Sequence, residues 1–341
     1  MLKLKVDGDD YVKQVKGIHH VTAITSSAEK IYDFFTDILG MRLVKKTVNQ
    51  DDINTYHLFF ADDRGNAGTD MTFFDFQGIQ KAVKGTDEIA KTSFRVPNNK
   101  AIHYWEKRLK HYQVEYQKPT EVFGVLSLEF TDFDGQEYVL VSDEGQTGVK
   151  SGVPWLKGPV PNEFAVTGLG PIHFRVTGYK EMDYVMTKIM QFELVDHEGD
   201  LFLYETGEGG NGARVIVEHT KGLQRARQGY GGVHHVAFRV DDKADLELWT
   251  SYLRQIKAPN SGFVERFYFQ SLYTRLYPGI LFEFATDGPG FIDDEEPYET
   301  LGEKLALPPK FRDKREQIEK IVRPIDTARS NKVYQKEYFD D

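Results

Sequence analysis

Short apolar runs alternate with single amphipathic helical stretches along the chain, and the same order of elements returns several times. The run His20 to Thr25 reads as a strand. It leads into Ser26-x-x-Glu29, which has the form of a capping box: hydroxyl and carboxylate satisfy the free amides of a helix start. Ile31, Phe34, Phe35, Ile38 and Leu39 then recur at helical spacing on one face, and Gly40 suits a left-handed stop. Three strand-like runs follow, Met41 to Val48, Tyr56 to Phe60 and Thr69 to Phe74, the last two separated by the turn-rich segment 62–68. The predicted unit is strand, helix, strand, strand, strand.

That unit is repeated. Ser93-Phe94-Arg95-Val96, His173-Phe174-Arg175-Val176 and Ala237-Phe238-Arg239-Val240 each open another segment of the same layout. The second copy spans Thr92 to Val141 and the third Ile172 to Glu218. The fourth comprises strand Val233 to Val240, a helix from Asp242 through Trp249 and Leu253, and strands Phe263 to Phe269, Leu272 to Leu276 and Ile280 to Ala285. The expected architecture is an α+β fold of four βαβββ modules paired into two domains, with mixed curved sheets forming a cleft that can hold a metal. Read along the chain, modules 1 and 2 occupy 1–145, a linker rich in Gly and Pro occupies 146–169, and modules 3 and 4 occupy 170–308. A helix near Pro309 to Val322 and a charged, peripheral tail complete 309–341.

Composition narrows the chemistry. The 341 residues supply ample apolar material for real cores. A net charge of −10 repels polyanions, so nucleic acid is not an expected partner. Cysteine is absent, which excludes disulfides, thiolate metal ligands and a cysteine nucleophile; any metal must sit on nitrogen and oxygen. The first 16 residues mix charge with single apolar residues and lack a signal-peptide core, and no apolar run reaches 18 residues. The expectation is a cytoplasmic protein that does not insert in a membrane; a homo-oligomer is left open.

Two histidine doublets stand out, in Gly17-Ile18-His19-His20-Val21 and Gly232-Val233-His234-His235-Val236. Alignment of the modules on the Phe-Arg-Val phrase puts His235 opposite Pro171 and Lys91, while the strand pattern of the first module puts His20 there. Alignment on the glycine before each last strand puts Glu283 opposite Thr72, Val139 and Ile216. A glutamate between Phe282 and Phe284 on an otherwise apolar strand is costly to desolvate unless it is paired or metal-bound. His20, His235 and Glu283 are therefore the candidate metal ligands. Two imidazoles and one carboxylate with open positions form the facial triad associated with non-haem Fe(II) oxygenases; Mn(II) is the alternative. A glyoxalase-type site would add a second carboxylate, and none stands at a homologous place. His173 shares the ligand face two residues along but sits in a module without the other parts. His57, His103, His111, His197 and His219 are assigned packed or solvated roles.

These modules resemble the vicinal oxygen chelate superfamily of glyoxalases, bleomycin-resistance proteins and extradiol dioxygenases. Within it, His19-His20-Val21-Thr22, Tyr56-His57-Leu58, Gly65-x-x-Gly68-Thr69, His234-His235-x-Ala237-Phe238 and Arg266-x-Tyr268-Phe269 resemble the hydroquinone-type ring-cleaving dioxygenases, over roughly residues 17 to 310. The resemblance implies Fe(II), a small aromatic diol and O2. It also implies a supporting set of Tyr273, Arg266, His19, His234 and Thr22: the phenol and guanidinium orient ring and oxygen, and a histidine shuttles protons. Simple strand alternation would turn His19 and His234 away from their ligand neighbours. The rival readings are an extradiol catechol dioxygenase, a non-catalytic binder of aromatics or antibiotics, and a glyoxalase-like protein.

Overall fold

The computed structural model describes residues 4–6, 11–292 and 296–339. A two-stranded ribbon, β1 (Leu4–Lys5) with β2 (Tyr11–Val12), precedes the modules. Module 1 comprises β3 (Ile18–Ile24), α1 (Ala28–Asp33), β4 (Arg42–Val48), β5 (Tyr56–Ala61) and β6 (Asp70–Phe74). Module 2 comprises β7 (Glu88–Val96), α2 (Asn99–His111), β8 (Thr120–Val122), β9 (Val125–Thr131) and β10 (Glu137–Ser142). Module 3 comprises β11 (Gly168–Val176), α3 (Tyr179–Tyr184), β12 (Glu193–Glu198), β13 (Leu201–Glu205) and β14 (Arg214–His219). Module 4 comprises β15 (Gly232–Val240), α4 (Lys243–Gln255), β16 (Val264–Glu265), β17 (Gln270–Tyr277) and β18 (Ile280–Thr286), and α5 (Arg315–Ile321) follows. Among the described residues no helix is long and apolar enough to cross a membrane.

The modules form two curled mixed sheets of eight strands, in the orders β16-β17-β18-β15-β3-β6-β5-β4 and β12-β13-β14-β11-β7-β10-β9-β8. Module 1 therefore shares a sheet with module 4, and module 2 with module 3. The two halves of the chain, 1–145 and 170–308, do not coincide with the sheets: each half gives one module to each. The physical reason lies in the first strands, which pair antiparallel at the centre of each sheet, β3 with β15 and β7 with β11. Pairing in chain order would leave the two histidine doublets in separate sheets.

Local details depart from the sequence pattern in places. The cap of α1 is Ser27, whose hydroxyl accepts from the Lys30 amide, whereas Ser26 is held by Asp134 of module 2. The first-module helix ends in a π turn over Phe34–Ile38 before Gly40, which does take a left-handed φ of 65°. The expected strand Phe263 to Phe269 shrinks to Val264–Glu265, because Phe267 adopts φ 70° and the chain turns so that Arg266 N–H meets the Phe269 carbonyl. That turn delivers Tyr268 and Phe269 to the concave side of the sheet, where both are buried. The segment after β18 is anchored by a buried ion pair, Lys45 Nζ to Glu296 Oε2 at 2.8 Å, with the ammonium 5.1 Å from the Tyr268 ring centroid.

The charged tail is not peripheral. Tyr56 donates to the Arg323 carbonyl (2.6 Å), Thr327 to Gly302 O (2.7 Å), and Tyr104 to Glu337 O (2.9 Å). Arg108 on α2 is fully buried; it donates to the carbonyls of Ile38 (2.7 Å) and Asp37 (2.8 Å) at the end of the first-module helix and pairs with Glu337. The tail thus straps modules of different sheets together, through these polar contacts and through Ile318, Val322 and Ile325, which enter the core. Arg108→Ala is expected to lose about 3 kcal/mol of unfolding free energy, since it strands two carbonyls and a carboxylate. Glu337→Ala, whose partner retains the carbonyls, should lose about 1 kcal/mol. Denaturant titrations of the two variants check the order.

Candidate metal centre

The centre is built on the seam between β3 and β15. Their register runs Val233 to Ala23 and then His235 to Thr22, so His234 is an extra residue on β15; it runs Ala237 to His20 and then Phe238 to Ile18, so His19 is an extra residue on β3. Both supernumerary histidines therefore sit in β-bulges. A bulge breaks strict alternation and re-aims the side chain. His19 Nδ1 lies 2.9 Å from His20 Nδ1, and His234 Nδ1 lies 2.7 Å from His235 Nδ1. The conflict between alternation and a shared role is resolved by the backbone.

His20 Nε2 and His235 Nε2 converge on Glu283 Oε2 at 3.2 and 3.0 Å, and are 3.3 Å from each other. All three residues are buried. Glu283 Oε1 accepts from Ser271 Oγ (2.6 Å), whereas Oε2 has no hydrogen-bond partner. Register places Glu283 beside Ala237 on β15, and the equivalent positions in the other modules are Thr72 beside Thr22, Val139 beside Ser93 and Ile216 beside His173. The module alignment made from sequence holds residue for residue. Phe284 turns to the other face and stacks on Trp249 at 4.3 Å.

The tautomers follow from the hydrogen bonds. His19 Nε2 lies 2.9 Å from the Thr286 carbonyl, which can only accept, so Nε2 carries the proton. Burial, and then the neighbouring His20, pushes the His19 imidazolium down to about 3, so the ring is neutral and its Nδ1 accepts. His20 must then donate from Nδ1, which leaves the Nε2 lone pair aimed at Glu283. Two imidazole nitrogens and a carboxylate oxygen this close together share either a proton on Nε2 or a metal ion. Among the described residues, His20, His235 and Glu283 are the group able to hold a metal ion, and the orphaned Oε2 fits that use.

A cavity of about 450 Å³ opens from His20 and His235 and is walled by Phe59, Phe74, Phe76 and Phe269. Tyr273, paired with Glu283 across β17 and β18, lines it. Arg266 Nε donates to Tyr273 Oη (3.1 Å), and its two terminal nitrogens grip Asp51 at the cavity mouth (3.2 and 2.9 Å). With both edges occupied, Arg266 acts through Tyr273. Burial, and then Glu283, raises the Tyr273 phenol, which stays protonated. Thr22 does not reach the cavity: it is buried and bonded to Thr72 (2.7 Å), which in turn meets His57 Nε2 (2.9 Å). His57 lines the cavity, contrary to the packed or solvated role expected of it. Its signal was its place on a strand two positions from Phe59, which also faces the cavity. Ser271 was likewise missed, although it lies two residues before Tyr273 on the same face. His173 is in the other sheet, away from this centre.

The second sheet repeats the seam without the chemistry. Its bulges fall at Ala90 on β7 and at Gly170–Pro171 on β11. Ala90, Lys91, Gly170 and Pro171 stand where the histidines stand, Ile216 replaces Glu283, and the remaining hollow is about 30 Å³.

Paired βαβββ modules closing over a two-histidine, one-carboxylate centre define a class. The chain belongs to the glyoxalase/bleomycin resistance protein/dioxygenase superfamily, whose family model matches residues 17–140. It is 42% identical over 317 residues to a Bacillus subtilis (strain 168) protein named as a ring-cleaving dioxygenase, MhqA, covering 92% of this chain and 99% of that one. It is 30% identical over 318 residues to the chlorohydroquinone/hydroquinone 1,2-dioxygenase of Sphingobium indicum, covering 90% and 95%. A crystal structure of a Bacillus subtilis protein named as a dioxygenase superposes with TM-score 0.84 at 36% identity, covering 93% of this chain and 99% of that one.

His19→Ala should weaken divalent-metal binding about 10–100-fold, because it frees the His20 tautomer. His19→Asn, whose amide oxygen can take the place of Nδ1 as acceptor, should retain most of the affinity. Competition with a chromogenic chelator measures both, and equal losses would remove the tautomer role from His19.

Proposed function

We propose that the chain is an Fe(II)-dependent ring-cleaving dioxygenase acting on hydroquinone-type aromatics with O2, with Mn(II) as the alternative metal. The observation that carries this reading is the convergence of His20, His235 and the orphaned Glu283 oxygen at one end of an aromatic-walled cavity. Relatives named as ring-cleaving dioxygenases, one of them for hydroquinone, support the substrate class. A redox-active divalent metal held by three facial donors supplies the electronic route between an aromatic ring and dioxygen.

The chain's own residues divide the remaining work. Phe59, Phe74 and Phe269 give a flat ring an apolar slot and exclude water from it. Tyr273 accepts from Arg266 Nε, which leaves its own O–H as the donor for a substrate oxygen beside the triad. Asp51 fixes the guanidinium that fixes the phenol. The two bulged histidines differ in kind: His19 is buried and ends on the Thr286 carbonyl, a dead end for protons. His234 is half-buried and lines the cavity; with its Nδ1 accepting from His235, its Nε2–H is the group it can offer to a substrate oxygen. Burial, and then His235, holds its imidazolium down to about 3, which keeps the ring neutral.

A glyoxalase-like reading would call for a further carboxylate in the ligand cluster, and the described residues place none there. After anaerobic Fe(II) reconstitution, oxygen uptake is expected with hydroquinones and not with catechols; the reverse preference would move the chain to the extradiol class. Glu283→Ala should lose stoichiometric iron and all oxygen uptake. Tyr273→Phe should keep the iron and lower kcat by about 100-fold.

A further inference from the structure

His57 has a designed setting that the ligand triad and its supporting set do not use. The ring lies between Phe59 and Phe74, with centroid separations of 4.0 and 4.4 Å, and all three side chains line the cavity. Its Nε2 meets Thr72 Oγ1 at 2.9 Å, and Thr72 Oγ1 meets Thr22 Oγ1 at 2.7 Å, with both threonines fully buried. Among the described residues Thr22 Oγ1 has no other partner. The one arrangement that uses every hydroxyl hydrogen runs from Thr22 to Thr72 and from Thr72 to His57 Nε2. The His57 proton is then on Nδ1, which has no protein partner among the described residues. Burial, and then His20 and His235, holds this imidazolium well below its ordinary value, so the ring is a neutral donor.

We infer that His57 is a specificity-determining residue whose Nδ1–H donates to a ring oxygen remote from the metal-bound hydroxyl, the para oxygen of a hydroquinone. The inference rests on the proposed ring-cleavage reading for the identity of the ring. Its geometry is independent of that chemistry: β5 is two strands away from β3, with β6 between them, so His57 addresses the far side of the cavity from His20. Neighbouring strands are about 4.8 Å apart, so two intervals span roughly the length of a para-disubstituted ring with its hydrogen bonds. A catechol, with both oxygens at the metal end, would leave this donor without an acceptor.

The test is equilibrium binding of 4-methoxyphenol and 4-methylphenol to anaerobic, iron-reconstituted protein by calorimetry. One probe carries a para acceptor oxygen and the other does not. The wild type should bind 4-methoxyphenol about tenfold more tightly, the worth of one neutral hydrogen bond in a dry site. His57→Phe should bring the ratio close to one with iron content unchanged. Thr72→Val, which leaves His57 in place but frees its tautomer, should also lower the ratio, a result that mere packing by His57 would not give. His57→Asn, with an amide donor, should recover part of it. A ratio unchanged in His57→Phe, or no preference in the wild type, overturns the inference. Absence of hydroquinone turnover with the binding ratio intact would instead sink the ring-cleavage reading and leave the donor assignment standing.

Discussion

The antiparallel seam between β3 and β15 is the constraint on which the rest depends. Each strand carries one residue too many for its partner, and each surplus residue is a histidine. Without the bulges, strict alternation would send His19 and His234 to the opposite face from His20 and His235. With them, each ligand imidazole has a second imidazole at its back nitrogen, and the tautomer that presents Nε2 to the centre is set by the fold. His20 shows this most fully, because the Thr286 carbonyl fixes the proton on His19 and His19 fixes the proton on His20.

The second sheet serves as an internal control. Its seam has bulges at the equivalent places, yet Ala90, Lys91, Gly170 and Pro171 occupy them and Ile216 stands where Glu283 would be. Lys91 spends its charge on Glu129, and the hollow is nearly closed. The half-barrel is therefore a scaffold that tolerates either a packed interior or a site, and what separates the two is a handful of side chains on strands of equivalent order and register. Glu283 is the most costly of them. A buried carboxylate with one oxygen unsatisfied lowers the stability of the empty chain, and the arrangement makes sense only if a cation repays that cost.

Much of this was legible in the sequence, and the reasons are physical. Module number followed from the period of the apolar pattern, and His20, His235 and Glu283 stood out because charge and metal-ligating nitrogen are conspicuous on apolar strands. Pairing order was not legible, because the association of module 1 with module 4 is a contact between residues more than 200 positions apart. Nor were the bulges, since a surplus residue is defined only against its partner strand. The cap of α1 moved by one residue because Ser26 had a better partner, Asp134, in another module. Arg108 and the tail hold together through hydrogen bonds, which have no periodicity. His57 was hidden by its surroundings: Tyr56, Leu58, Phe59 and Phe60 are all buried, so β5 shows no polar face against which an inward histidine would stand out.

The polar groups around the cavity also have a direction. On the ligand side, His19 closes on a carbonyl and cannot pass a proton further, whereas His234 opens to the cavity. On the far side, the Thr22–Thr72–His57 chain begins on the residue that pairs with His235 and ends on the opposite wall. Tyr273 and Arg266 hold the third side, tied to Asp51 at the mouth. A flat ring entering this space meets a donor at each end and apolar faces above and below. Such a site selects by the placement of oxygens on the ring more than by ring size, because an unmatched buried donor costs more than a missing methyl contact gains.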